Sequence, residues 1–131
     1  MGTPRGKRKG NHGGKRFVQL PEWLLATEAW QSLSVGARAL YVELKRRYKG
    51  SNNGDLRLSH REAAALLRLH RNTVGRLFRE LEERGFIRMM QSHYLGPSGI
   101  GQTACWALDE YDTDTDNRPA LKRFAHWKLA A

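Results

Sequence analysis

The sequence predicts a mainly α-helical chain with a small antiparallel β-hairpin, an α+β fold built around one core. Apolar residues recur at helical spacing in three segments, most clearly Val74, Leu77, Phe78 and Leu81 at i, i+3, i+4 and i+7. Two strand-like runs, FIRMMQSHY and TACWALDEY, flank the glycine- and proline-rich LGPSGIG. With 131 residues, 40% of them apolar, the chain has material for one modest core and no room for a second large domain.

Met1–Arg16 carries six cations (Arg5, Lys7, Arg8, Lys9, Lys15, Arg16), five glycines and no acidic residue. Such a segment buries nothing and is expected to be disordered alone, as a basic arm over residues 1–16. It suits following DNA phosphates or a minor groove, and equally suits a tail that only aids solubility. The folded domain is placed at 17–110, with an acidic linker and a short amphipathic segment at 111–131.

Phe17–Leu33 is dense in large apolar side chains, including Trp23 and Trp30, which points to core or to an oligomer interface. Pro21 fits the first turn of a short helix. Ser34 is placed as the N-cap of the next helix, with Ala37, Leu40, Tyr41, Leu44 and Tyr48 on its inner face and Gly50 at its end. Arg38, Lys45, Arg46, Arg47 and Lys49 are expected on its outside. SNNGD at 51–55 reads as a loop, and Leu56–Leu58 as a very short strand.

From Leu58 to Arg88 the chain reads as two helices joined by a tight turn and followed by a strand. Ser59 and Glu62 have the spacing of a reciprocal capping box, so a helix begins near His60, buries Ala63, Leu66 and Leu67, and ends near Arg68. The second helix spans roughly Arg71 to Arg84. Its polar face carries Arg71, Asn72, Thr73, Arg76, Arg79 and Glu80, and Gly85 follows in the position of a left-handed cap. Gly75 inside this helix costs about 1 kcal/mol relative to alanine, which marks close packing against another element or against DNA.

The segment ALLRLHRNTVGRLFRELEERGFI resembles the helix-turn-helix of bacterial winged-helix DNA-binding proteins. The resemblance implies a winged helix-turn-helix in which the short strand at Leu56–Leu58 pairs with the hairpin, here the wing. Two positions depart from the usual pattern: Arg68 stands where such turns often have glycine, and His70 where the second helix often has a Ser or Thr cap.

On this reading double-stranded DNA is the partner. A formal charge of +10 agrees with a polyanionic ligand. Arg71, Asn72, Thr73 and Arg76 are the expected contacts to bases and nearby phosphates, because guanidinium and amide groups make bidentate contacts to guanine and adenine edges. Arg79 is expected on a phosphate or simply solvated, His70 is included among the DNA contacts, and Ser59, His60 and Arg61 open a helix whose N–H groups suit a phosphate. No Lys or Arg occurs between Arg88 and Arg118, so the wing can offer only backbone N–H groups and Ser92, His93, Tyr94 or Ser98. Alternation places Ala104, Trp106 and Leu108 on one face of the second strand.

The acidic residues Asp109, Glu110, Asp112, Asp114 and Asp116 are expected away from DNA, or clipped to the chain's own basic surface in competition with it. Asn117–Leu129 is expected to form a short amphipathic helix that packs back or meets a second subunit, so a homodimer is a further expectation. Cys105 alone cannot form an internal disulfide and reads as a buried small apolar residue. The five histidines show no ligand spacing, so no metal is expected, and neither a cofactor nor an enzymatic arrangement is implied. Without a spanning segment or the apolar core of a signal peptide, the expected location is cytoplasmic, with the nucleoid. Transcriptional regulation is the expected role. A plasmid- or phage-type replication initiator and a winged-helix protein-interaction module are the alternatives.

Overall fold

A computed structural model describes residues 16–91 and 104–130. The elements in order are α1 (Glu22–Leu25), α2 (Glu28–Ser32), α3 (Val35–Arg47), β1 (Leu56–Arg57), α4 (His60–Leu67), α5 (Arg71–Glu83), β2 (Ile87–Gln91), β3 (Cys105–Leu108) and a single 3-10 turn at Arg123–Ala125. Side chains start most of the helices. Thr27 takes the Trp30 N–H at 3.1 Å, Ser34 the Ala37 N–H at 3.2 Å and Ser59 the Glu62 N–H at 3.0 Å. The dense apolar stretch at 17–33 is thus two short helices rather than one.

The strands form an antiparallel sheet in the order β1-β3-β2. Leu56 faces Trp106 and Ile87 faces Leu108, with a bulge between Met89 and Gln91. The short strand before α4 therefore pairs with the hairpin, as the resemblance implies. The hairpin's turn, including LGPSGIG and the proposed wing contacts, lies outside the described residues.

One core lies between the helices and this sheet, and aromatic rings hold its centre. Trp30, Tyr41 and Phe86 meet edge-on at 5.4 to 5.9 Å, and Phe86 stacks on Phe124 at 4.8 Å. A second stack runs from Trp106 through Phe78 to His60, at 4.9 and 4.8 Å. These contacts fix α5 against both the sheet and α4.

Several expectations are corrected. Lys45 does not face outward: it is buried and ion-paired with Glu110 at 2.9 Å. Ala104, Trp106 and Leu108 join the core as alternation expects, and Cys105 and Ala107 are buried as well, β3 being the central strand. The Glu62 carboxylate does not return to its own helix start but faces Arg47 at 3.3 Å. The C-terminal segment makes only the 3-10 turn instead of an amphipathic helix. It packs back through Phe124, which is fully buried, while Leu121 and Leu129 remain exposed.

In the acidic stretch Asp109 and Glu110 are buried, while Asp112, Asp114 and Asp116 are exposed. Asp109 is buried between Arg88 at 3.3 Å and Arg123 at 2.9 Å, and Asp114 accepts the Asn53 N–H at 2.8 Å. The Asn53 side chain, fully buried, donates to the carbonyls of Leu108, Tyr111 and Asp112 and accepts the Leu108 N–H at 2.7 Å. The loop at 51–55 and the acidic stretch thereby lock each other. Trp23 is half-exposed, stacked on Phe124 at 5.6 Å.

Candidate nucleic-acid interface

The helix-turn-helix geometry follows from local chemistry. α4 ends at Arg68, which adopts the left-handed conformation (φ 59°, ψ 45°) that glycine usually supplies, and its N–H bonds back to the Ala64 carbonyl. The chain then re-enters a helix at His70, whose Nδ1 accepts the Asn72 N–H at 3.0 Å. Histidine thus performs the capping role usually left to Ser or Thr. Because Nδ1 is the acceptor, the neutral ring carries its proton on Nε2. The two departures from the family pattern keep the turn and the cap while changing the residues that make them.

α5 is held on three sides. Glu80 on one flank bonds Ser34 at the start of α3, and Phe78 on the other stacks under His60. At its end, Gly85 (φ +83°) continues into β2. A Cβ at Gly85 would lie 2.8 Å from Arg123 Cβ and 2.9 Å from the Phe124 nitrogen, so both backbone conformation and close approach require glycine. Gly75 differs, since a Cβ there would meet only the His60 ring, at 3.7 Å, and the Arg79 guanidinium, at 3.9 Å.

The remaining face of α5 is open. Arg71, Asn72, Arg76 and Arg79 are exposed and Thr73 is half-buried. Arg61 at the start of α4 and Arg68 in the turn are exposed as well, and Ser59 is half-buried with its oxygen committed to the Glu62 N–H. His60 is half-buried against Phe78, so its ring face packs rather than projects.

Charge use divides most of the described arginines into two sets; Arg16 and Arg38 also lack a carboxylate partner but lie outside α4 and α5. Arg46, Arg47, Arg57, Arg84, Arg88, Arg118 and Arg123 all pair with carboxylates. Among the described residues, no carboxylate pairs with Arg61, Arg68, Arg71, Arg76 or Arg79. These five sit on α4, the turn and α5. Arg68 was not among the site residues expected from sequence. The signal was its place in the turn, where it reads first as an awkward substitute for glycine.

Residues 36–95 match the family model of the Crp-like helix-turn-helix domain. The chain carries a winged helix-turn-helix DNA-binding domain. Comparison with curated proteins and with solved structures gave no match. Within the helix-turn-helix domain, α4 and α5 are the paired helices and β2 with β3 the base of the wing. Among the described residues there is no group of His, Cys, Asp and Glu able to hold a metal ion, and no helix long and apolar enough to cross a membrane.

Proposed function

We propose that this protein binds double-stranded DNA sequence-specifically, laying the exposed face of α5 in the major groove, and acts as a transcriptional regulator in the cytoplasm. The observation that carries this reading is the set of five exposed arginines without carboxylate partners on the helix-turn-helix, in a protein that pairs most of its other arginines. An exposed guanidinium left unpaired is the group best suited to a phosphate or to guanine O6 and N7.

The roles follow from position. Asn72 and Arg76, exposed in the first two turns of α5, are assigned to base edges, with Thr73 and Arg71 beside them. Arg79, Arg61 and Arg68 are assigned to phosphates on either side. His70 keeps Nε2–H for a phosphate while Nδ1 caps the helix, and the start of α4 at Ser59 and His60 is assigned to another. None of these roles calls for a cofactor or a catalytic group.

Selection of tight-binding duplexes from random DNA, followed by a salt titration, tests this. A specific binder yields a defined motif, and its affinity falls steeply with salt, by roughly 0.9 log units per log unit of salt for each phosphate neutralised. A chain that selects no motif contradicts sequence-specific reading. Mapping bound sites in the source genome tests the regulatory role: sites at promoters support it, and iterated sites at a replication origin replace it with initiation. An inverted repeat as the selected motif would call for two copies, which molar mass measured with and without DNA reads directly.

A further inference from the structure

We propose that His70 is a positioning residue for sequence reading: its uncharged ring holds the first turn of α5, and a proton on Nδ1 relaxes sequence preference without loosening the hold on DNA backbone. The proposal rests on the reading of α5 given above. The first N–H groups of a helix have no acceptor within it. His70, extended at φ −70° and ψ 147°, supplies one from outside, its Nδ1 taking the Asn72 N–H at 3.0 Å. Its carbonyl takes the Val74 N–H, also at 3.0 Å. His70 therefore closes the first turn through both side chain and backbone.

The side chains assigned to bases stand on that turn. Arg71 lies inside the loop closed by the bond from His70 to Asn72, and Asn72 is its far end; both are exposed. The cap thus fixes the backbone from which they reach the groove. No acidic residue occurs in this turn, so no carboxylate there can replace the ring or balance a charge on it.

One proton has two consequences. Nδ1 accepts through its lone pair, and once protonated it is a donor facing another donor, the Asn72 N–H. The cap is then lost, and the imidazolium lies at the positive end of the helix dipole. The Nε2–H assigned to a phosphate survives and gains a full charge behind it. Loss of the cap weakens only contacts that depend on the placement of Arg71 and Asn72, which a random duplex does not use. The added charge favours every duplex alike. Serine or threonine at this position would cap without this coupling, because neither titrates between pH 5 and 8.

The groups around His70 leave that titration to its own ring. It is exposed, and among the described residues no carboxylate pairs with it. Its charged neighbours are Arg68 in the turn and Arg71 on α5, both cationic throughout this range. The end of α4 next to it carries Ala64, Ala65, Leu66 and Leu67. The titratable groups of α4 lie at its other end, beside Arg61. There His60 stacks on Phe78, roughly two turns further along α5, and Glu62 pairs with Arg47.

The test compares the affinities of the full chain for a selected and a random duplex at about pH 8 and about pH 5, at one salt concentration. The ratio of the two affinities is expected to fall by roughly fivefold on acidification, the worth of one helix cap, while the random duplex is bound no more weakly. His70→Asn, which caps without titrating, should hold the ratio at both pH values, and His70→Ala, which has no cap, should show the low ratio at both. Loss of the Nε2–H leaves the ratio alone, since both duplexes share that contact. A ratio independent of pH in the unaltered chain, or one that falls equally in His70→Asn, overturns the role of His70. Failure to select any duplex counts against the reading of α5 itself and removes the positioning role with it.

Discussion

The Glu80 carboxylate fastens α5 to the start of α3, one oxygen taking the Ser34 N–H at 2.6 Å and the other the Ser34 hydroxyl at 2.8 Å. The same hydroxyl oxygen caps α3 by accepting the Ala37 N–H. A polar residue of α5 that reads in the sequence as part of an open face is thus a clamp, and it sets the angle at which that face is presented.

Glu80→Ala and Ser34→Ala should each lower stability by about 1 kcal/mol, the usual cost of losing a helix cap. The double variant should lose less than the sum, because both changes remove the bond between the Ser34 hydroxyl and Glu80. Urea denaturation of the four proteins checks this, and strict additivity would show that the two residues act independently.

Arg68→Gly should stabilise the protein by about 1 kcal/mol, since the left-handed conformation costs a side chain roughly that much and glycine nothing. The same variant removes an exposed cation assigned to a phosphate. Affinity for specific and random duplexes should therefore drop together, with the salt slope reduced by about one phosphate. A stability loss on denaturation would contradict the turn geometry.

How much of this was legible in the sequence depended on distance along the chain. The caps at Ser34 and Ser59, the stripe through Val74 and Leu81, and the glycine at 85 are set by neighbours within a turn or two, and local spacing revealed them. Lys45 looked solvent-facing because its partner Glu110 lies 65 residues further on. Asn53 looked like a loop residue for the same reason, with its carbonyl partners more than fifty residues away. Nothing local distinguishes an acid that is buried between two arginines, as Asp109 is, from one facing water. At the site, the positions along α5 were legible from periodicity. Which arginines remained free of carboxylates was not, because that depends on every acidic residue in the fold.

Gly75→Ala should stabilise the protein by about 0.5 to 1 kcal/mol, as the new methyl meets the His60 ring at ordinary contact distance and removes a helix-interior glycine. Thermal denaturation reads this directly. A destabilised variant would mean that α4 and α5 pack more tightly at this crossing than 3.7 Å implies.

The buried tyrosines predict an alkaline limit. Burial, reinforced by Glu110, pushes the Tyr111 hydroxyl up to about 12, and complete burial raises Tyr41 well above its ordinary 10.0. The folded protein keeps phenol protons that the unfolded chain releases, so this contribution is whole below pH 10 and is lost as pH rises toward 12. Lys45, lowered from 10.5 by burial, acts with the opposite sign below that value, because the unfolded chain then holds the extra proton. Folding free energy should fall from pH 10 to 12, and Tyr111→Phe should make the fall shallower. Equal slopes for the two proteins would contradict the assignment.

The most direct test of the central claim is the affinity of the Arg76→Ala variant for a selected duplex and for random DNA, measured side by side at one salt concentration. If α5 reads the major groove, specific binding weakens by about 1 to 3 kcal/mol while binding to random DNA changes far less, and sequence preference relaxes at one position. Equal losses on both duplexes would show that Arg76 touches only backbone, and no loss on either would remove the exposed face of α5 from the DNA interface.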